Sequence, residues 1–170
     1  MNIELRKWSI QDKSDLINLC NQADRSYLSG RLPYPYSEAD ANWWLDMVMK
    51  EEGKTGVFRA IFVDNQLVGN ISVERNEGIF DKDAKIGYLL LTEQWSKGIM
   101  SESVRQICSI AFQQLDLIRI TGEVFSANIA SRKVLEKNGF SLEGVMKKAV
   151  VKEDKIYDLC IYGLLKEGDK

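Results

Sequence analysis

Ile86-Gly87-Tyr88-Leu89-Leu90-Leu91-Thr92-Glu93-Gln94-Trp95-Ser96-Lys97-Gly98-Ile99-Met100-Ser101 is the stretch of this sequence on which its reading turns. It opens as a short apolar run, the length of a buried strand. A turn containing Gly98 follows. Val104, Ile107, Cys108, Ala111 and Leu115 then recur at helical spacing, which predicts an amphipathic helix over residues 100–115. A strand that turns sharply into a helix aims unpaired backbone N–H groups and the positive end of the helix dipole at one point. A phosphate or pyrophosphate suits that point. Gly98 lets an anion come close to the backbone, and Lys97 adds a positive charge. An ordinary strand-to-helix turn has the same free amides, so spacing alone leaves both readings open.

On the N-terminal side, residues 3–8 read as a strand, and Ser9 with Asp12 as a variant capping box before a helix carrying Leu16, Ile17, Leu19, Cys20 and Ala23. A loop over residues 27–36 holds both prolines and three tyrosines. Ser37 and Asp40 repeat the cap before a helix bearing Trp43, Trp44, Met47 and Val48. Residues 57–63 and 67–74 flank Asp64-Asn65-Gln66, a hairpin signal, and residues 84–91 make a third strand of this run. On the C-terminal side, residues 118–125 read as a strand, and Asn128 caps a short helix that Asn138-Gly139 ends. Strands over residues 142–151 and 156–165 finish the chain. This order predicts an α/β (α+β mixed) fold, one domain over residues 1–170, with helices on both faces of a mixed sheet.

Composition limits the chemistry. The 170 residues carry a net charge of −2, which is no footprint of nucleic-acid binding, and they include no histidine. Ser-His-Asp, Cys-His and histidine-ligated metal chemistry are therefore excluded within the chain. Proton transfer must use a carboxylate, Ser, Tyr, Lys, water or the substrate. Cys20, Cys108 and Cys160 have neither metal-ligand nor disulfide spacing and read as core residues. No metal is expected. No apolar run is long enough for a membrane span and Met1-Asn2-Ile3-Glu4-Leu5 has no signal-peptide character, so a cytoplasmic location is expected. Gly53-Lys54-Thr55 imitates the end of a P-loop, but Val48 stands where the earlier glycine is required. Trp43-Trp44 reads as core plus rim of a helix rather than a stacking platform.

The decisive stretch resembles the acetyl-CoA signature of the GNAT superfamily of N-acetyltransferases, specifically its RimJ/RimL-type branch. Ile86-Gly87-Tyr88 precedes the loop. Asn128-Ile129-Ala130-Ser131, Gly139-Phe140 and Leu142-Glu143-Gly144 follow in the branch's order, and Tyr157-Asp158 through Tyr162 also fit. The resemblance covers nearly the whole chain. It implies the GNAT fold: a mixed central sheet of about seven strands, with two splayed parallel strands, residues 84–91 and 118–125, holding acetyl-CoA between them. It implies that the backbone of Leu89, Leu90 and Leu91 bonds the pantetheine arm like an added strand. The pyrophosphate would sit on the amides of Trp95, Ser96, Lys97, Gly98, Ile99, Met100 and Ser101. Asn128 would bond the arm or the acceptor, and Ser131 would lie near the thioester sulfur and protonate the leaving thiolate. Read from the residues alone, Asn128 is equally a helix cap and Ser131 a passive helix residue.

Two departures stand out. The usual loop pattern begins with Gln or Arg and ends with Gly or Ala, whereas this chain has Trp95 and Met100 there. The branch also has a glutamate, proposed as general base, after a Lys-Gln-Ala stretch. The matching stretch here is Lys147-Lys148-Ala149, and the next residue is Val150. Glu74, Glu77 and Glu143 are substitutes, each of which also reads as a solvated strand-end charge.

The function expected is acetyl transfer from acetyl-CoA to a primary amine by direct attack, most of all to a protein or peptide N-terminal α-amine, with Ser131, Asn128 and Glu74 as catalytic candidates. Polyamines and other small amines are alternative acceptors, and a non-catalytic acyl-CoA-binding module is the rival class. The acceptor pocket is expected between the 27–36 loop, the helix after it and the last hairpin. A homodimer follows from the resemblance alone.

Overall fold

The computed structural model describes residues 1–168; residues 169 and 170 lie outside the description. Its strands are β1 (Ile3–Lys7), β2 (Gly56–Val63), β3 (Gln66–Arg75), β4 (Asp83–Leu90), β5 (Arg119–Phe125), β6 (Ser141–Lys152) and β7 (Lys155–Leu165). Its helices are α1 (Lys13–Gln22), α2 (Glu38–Glu51), α3 (Ile99–Gln114) and α4 (Ile129–Lys137). The strands form one seven-stranded sheet in the order β1-β2-β3-β4-β5-β7-β6. All neighbours are antiparallel except β4 and β5. This is the expected mixed α/β sheet.

Local chemistry accounts for the boundaries. Ser9 and Asp12 form the expected capping box, but it opens a 3-10 turn, Ile10–Asp12, ahead of α1. Ser37 accepts from the Asp40 amide at 3.1 Å, and the Asp40 carboxylate reaches back to the Ser37 amide at 2.9 Å. The two tight hairpins turn on Asp64-Asn65 and Glu153-Asp154, all four with positive φ, as a twist-matched two-residue turn requires.

The sheet is covered on both faces. α3 and α4 seal one through Ile99, Val104, Ile107 and Leu135 against Val57, Ile71, Ala84, Ile86 and Ile120. α1 and α2 seal the other through Leu16, Leu19, Ala41, Leu45 and Val48 against Phe58, Ala60 and Phe62. β2 is buried along its whole length, which is why it reads as an almost unbroken apolar run. Among the described residues no helix is long and apolar enough to cross a membrane.

One irregularity positions the site. β4 pairs with β3 from Ala84 to Leu90, but with β5 only from Asp83/Arg119 to Ile86/Gly122. β5 stays paired with β7 out to Phe125. Beyond Ile86 and Gly122 the two parallel strands part, each held by its outer neighbour.

Candidate active site

The gap between β4 and β5 is lined by main chain. Leu91 N–H donates to Val68 O at 2.9 Å, toward β3. Strand alternation turns Leu89 the same way and aims the backbone of Tyr88 and Leu90 into the gap. The Leu90 carbonyl accepts from the Trp95 indole N–H at 3.0 Å, from the side away from β3. Of the three leucines expected along the gap, Leu90 is thus the one whose main chain faces it.

At the open end lies the glycine turn. A 3-10 turn, Thr92–Gln94, follows β4, and the Trp95 amide is engaged with Thr92 O at 3.1 Å. Ser96 (φ 60°) and Gly98 (φ 80°) are both left-handed, and Gly98 begins α3 with no side-chain cap. The amides of residues 96–101 have no acceptor among the described residues. That concave run of N–H groups at a helix N-terminus fits a pyrophosphate. Lys97 is exposed beside it. Ile99 and Met100 face the core, and Asn138 at the end of α4 donates to Ser101 O at 3.1 Å, tying the two helices together.

The first turn of α4 forms the gap's inner wall. Asn128 is the cap: its side-chain oxygen accepts from the Ser131 amide at 3.2 Å. Arg132 fixes the preceding loop by donating to Ser126 O at 3.2 Å and to the Tyr162 hydroxyl at 3.0 Å. Ser131 Oγ lies 2.6 Å from the Tyr88 hydroxyl. Burial pushes the Tyr88 phenol up to about 12, offset in part by the bond to Ser131, so it is protonated at neutral pH. Sequence reasoning missed Tyr88 as a site residue. The available signal is the alternation Ala84, Ile86, Tyr88, Leu90, which places one hydroxyl in an otherwise apolar row facing α4.

On the opposite face of the sheet a cleft of about 150 Å³ opens between Leu28, Ser29 and Leu32 and the strand residues Asn70, Ser72, Gly87, Tyr88 and Leu89. Arg25 holds this loop by donating to the carbonyls of Cys20, Leu32 and Pro33, and its guanidinium stacks on Tyr34. Lys152, from the last hairpin, donates to the carbonyls of Arg25 and Leu28. Tyr27, Phe125 and Tyr157 meet nearby, with ring centroids 5.1 to 6.4 Å apart. The loop and the last hairpin therefore converge here, but α2 contributes no residue to the cleft lining. Its Trp43 is exposed, and Trp44 packs edge-on against Trp8.

Glu74 stands apart. It is exposed on β3 opposite Lys85, on the paired side of Ile86/Gly122 and three residues, or roughly 10 Å, along the ladder from the Ile71–Tyr88 pair. Glu143 is held by Arg119 at 2.6 Å. No carboxylate is among the residues that line the cleft, and Glu74 reaches it only through Ser72. Cys20 and Cys108 are buried with thiols pushed up to about 12, so neither presents a thiolate. No group of metal-ligating side chains occurs among the described residues.

Residues 2–141 match the family described as acetyltransferase (GNAT) domain. A probable N-acetyltransferase of Bacillus subtilis, YjcK, is 40% identical over 100 residues, 59% of this chain and 54% of that protein. The ribosomal-protein-serine acetyltransferase of Escherichia coli is 31% identical over 117 residues, 69% of this chain and 64% of that one. The chain spans about half the length of some curated relatives, 47% of YoaA and 54% of YjcK from Bacillus subtilis. The solved structure of RimL, a ribosomal alpha-N-protein acetyltransferase in complex with coenzyme A, superposes with a TM-score of 0.87 at 26% identity, covering 99% of this chain and 97% of that one. The matched segment, the split sheet and the glycine turn agree: this chain belongs to the acetyltransferase (GNAT) domain family.

Proposed function

We propose that the chain is an acetyl-CoA-dependent N-acetyltransferase whose acceptor is the α-amine of a protein or peptide. The observation that carries this reading is the gap between β4 and β5, with the free amides of residues 96–101 at its mouth and the Tyr88–Ser131 pair on its wall. Those amides would hold the pyrophosphate, and the main chain of Tyr88 and Leu90 the pantetheine arm. Acetyl-CoA supplies the activated acetyl group. A gap-facing amide, of Tyr88 or Leu90, would polarise the thioester carbonyl, and Ser131 would meet the departing sulfur. The amine nitrogen forms the new C–N bond as the C–S bond breaks. Ser131 Oγ gives its proton to the sulfur and regains one from solvent, which takes up the proton lost by the nitrogen.

The cleft lining supports an α-amine acceptor. Its lining has no carboxylate and no histidine, Glu74 meets it only through Ser72, and Tyr88 stays protonated, which favours an amine that arrives neutral. The named activities of RimL and of the E. coli relative, both on ribosomal proteins, support the same acceptor class. Glu74, three residues along the ladder from the gap, is the candidate base in this reading, since it meets the cleft through the Ser72 hydroxyl.

The absence of a base from the cleft lining favours one second reading, a module that binds acyl-CoA without turnover. Release of free thiol from acetyl-CoA, followed with a panel of peptides, polyamines and small amines, separates the two. Release that requires an amine and yields its acetyl derivative supports the transferase. Tight acetyl-CoA binding with no release on any amine overturns it.

A further inference from the structure

We propose that Tyr88 is a positioning residue for acetyl transfer: its phenol donates to Ser131 Oγ and thereby leaves the serine's own proton directed into the gap. The proposal rests on the transferase reading above.

Two hydroxyls 2.6 Å apart share one hydrogen bond, so one of them must donate. A phenol is the stronger donor of the two. Burial keeps Tyr88 protonated well past neutral pH, so the donor is always available. Ser131 then accepts, and its hydrogen has no other acceptor among the described residues. The contrast with Ser103 is direct. Ser103, also on a helix, donates back to Ile99 O at 2.8 Å, the usual resting place of a helical serine hydroxyl. Ser131, in the first turn of α4, has no carbonyl of its own helix four residues back, and its partner is a residue 43 positions distant.

The contact also joins the two sides of the gap. Tyr88 belongs to β4, whose main chain faces the gap, and Ser131 belongs to the helix that follows β5. Asn128 fixes the Ser131 amide and Tyr88 fixes its hydroxyl, so the serine is held at both ends. An unanchored serine would rotate among three staggered positions, of which one points correctly.

The test is a double-mutant cycle of Tyr88→Phe and Ser131→Ala, read as kcat, KM for acetyl-CoA and acetyl-CoA affinity. Phenylalanine keeps the ring, and thermal midpoints check the fold. Tyr88→Phe is expected to lower kcat about tenfold with KM for acetyl-CoA unchanged, and to lower it less than about twofold once Ser131 is alanine. Ser131→Thr, which keeps a hydroxyl, is expected to restore the sensitivity to Tyr88→Phe. Equal losses in both backgrounds, or no loss in either, overturn the proposal and leave the transferase reading standing. No turnover by the wild-type protein on any amine overturns both.

Discussion

Gly122, the last residue of β5 in register with β4, is also where α4 rests on the sheet: a β-carbon built there would lie 2.8 Å from Leu135 Cδ1. The residue that ends the pairing therefore seats the helix that carries Ser131. Gly122→Ala should push α4 outward. The overpacking should cost about 1–3 kcal/mol of stability. Turnover should fall more than the loss of folded protein explains, because Ser131 moves with the helix. Thermal midpoint and kcat measured on the same preparation check this; an unchanged midpoint would contradict the packing.

Gly98 carries the anion loop. Its φ of 80° suits glycine, yet a β-carbon there would meet nothing within 4 Å. Alanine should therefore cost about 1–2 kcal/mol of stability, the penalty of a left-handed backbone with no clash added. Aspartate should do more, placing a negative charge where pyrophosphate must approach. Acetyl-CoA at about a hundredfold its Kd should stabilise the wild type by about 2.7 kcal/mol. Gly98→Asp should abolish that gain and Gly98→Ala should largely keep it. Equal ligand-induced shifts in wild type and Gly98→Asp would place the site elsewhere.

Ser131→Ala should lower turnover by roughly 10²-fold, with acetyl-CoA affinity little changed, if the hydroxyl serves the departing sulfur. Steady-state kinetics beside equilibrium binding separate the two. Turnover at the wild-type level would leave Ser131 as a helix residue capped by Asn128 and no more.

Glu102 gives a pH signature in the first turn of α3. Hydrogen bonds from Arg105 and then Gln106 lower its carboxyl to about 2. A depressed folded-state pKa contributes stability above the ordinary carboxylate value, and that contribution is lost as pH falls toward about 2. Denaturation of wild type and Glu102→Gln should differ near neutral pH and converge in acid. A gap that widens on acidification would show the wrong sign.

Much of the fold was legible because its signals are local. Period-two and period-3.6 apolar patterns gave the strands and helices, and the Ser9/Asp12 and Ser37/Asp40 boxes marked two helix entries. The point where β4 and β5 part was not legible: residues 86–90 are one apolar run, and nothing in it marks where pairing with partners 36 residues later stops. Strand alternation likewise does not reveal which edge faces the gap; that needed the engaged Leu91 amide. Tyr88 escaped notice as a site residue because its partner lies 43 residues away. Glu74 drew attention as a carboxylate near a strand end; its register against Lys85 puts it along the ladder from the gap, and its contact with Ser72, which no sequence pattern shows, keeps it at the edge of the cleft.

The most direct test of the central claim compares two peptides of matched sequence, one with a free N-terminus and blocked lysine, the other reversed. An α-amine with pKa near 8 is about 10% neutral at pH 7, whereas a lysine amine near 10.4 is about 0.04% neutral. With no base among the residues that line the cleft, that difference of a few hundredfold, about 3 kcal/mol, passes largely into the rate. Acetylation rates are measured from about pH 6 to about pH 10. The account predicts faster transfer to the free N-terminus at neutral pH, with the rate rising through the acceptor's own pKa. Faster acetylation of the lysine peptide at pH 7 would contradict it.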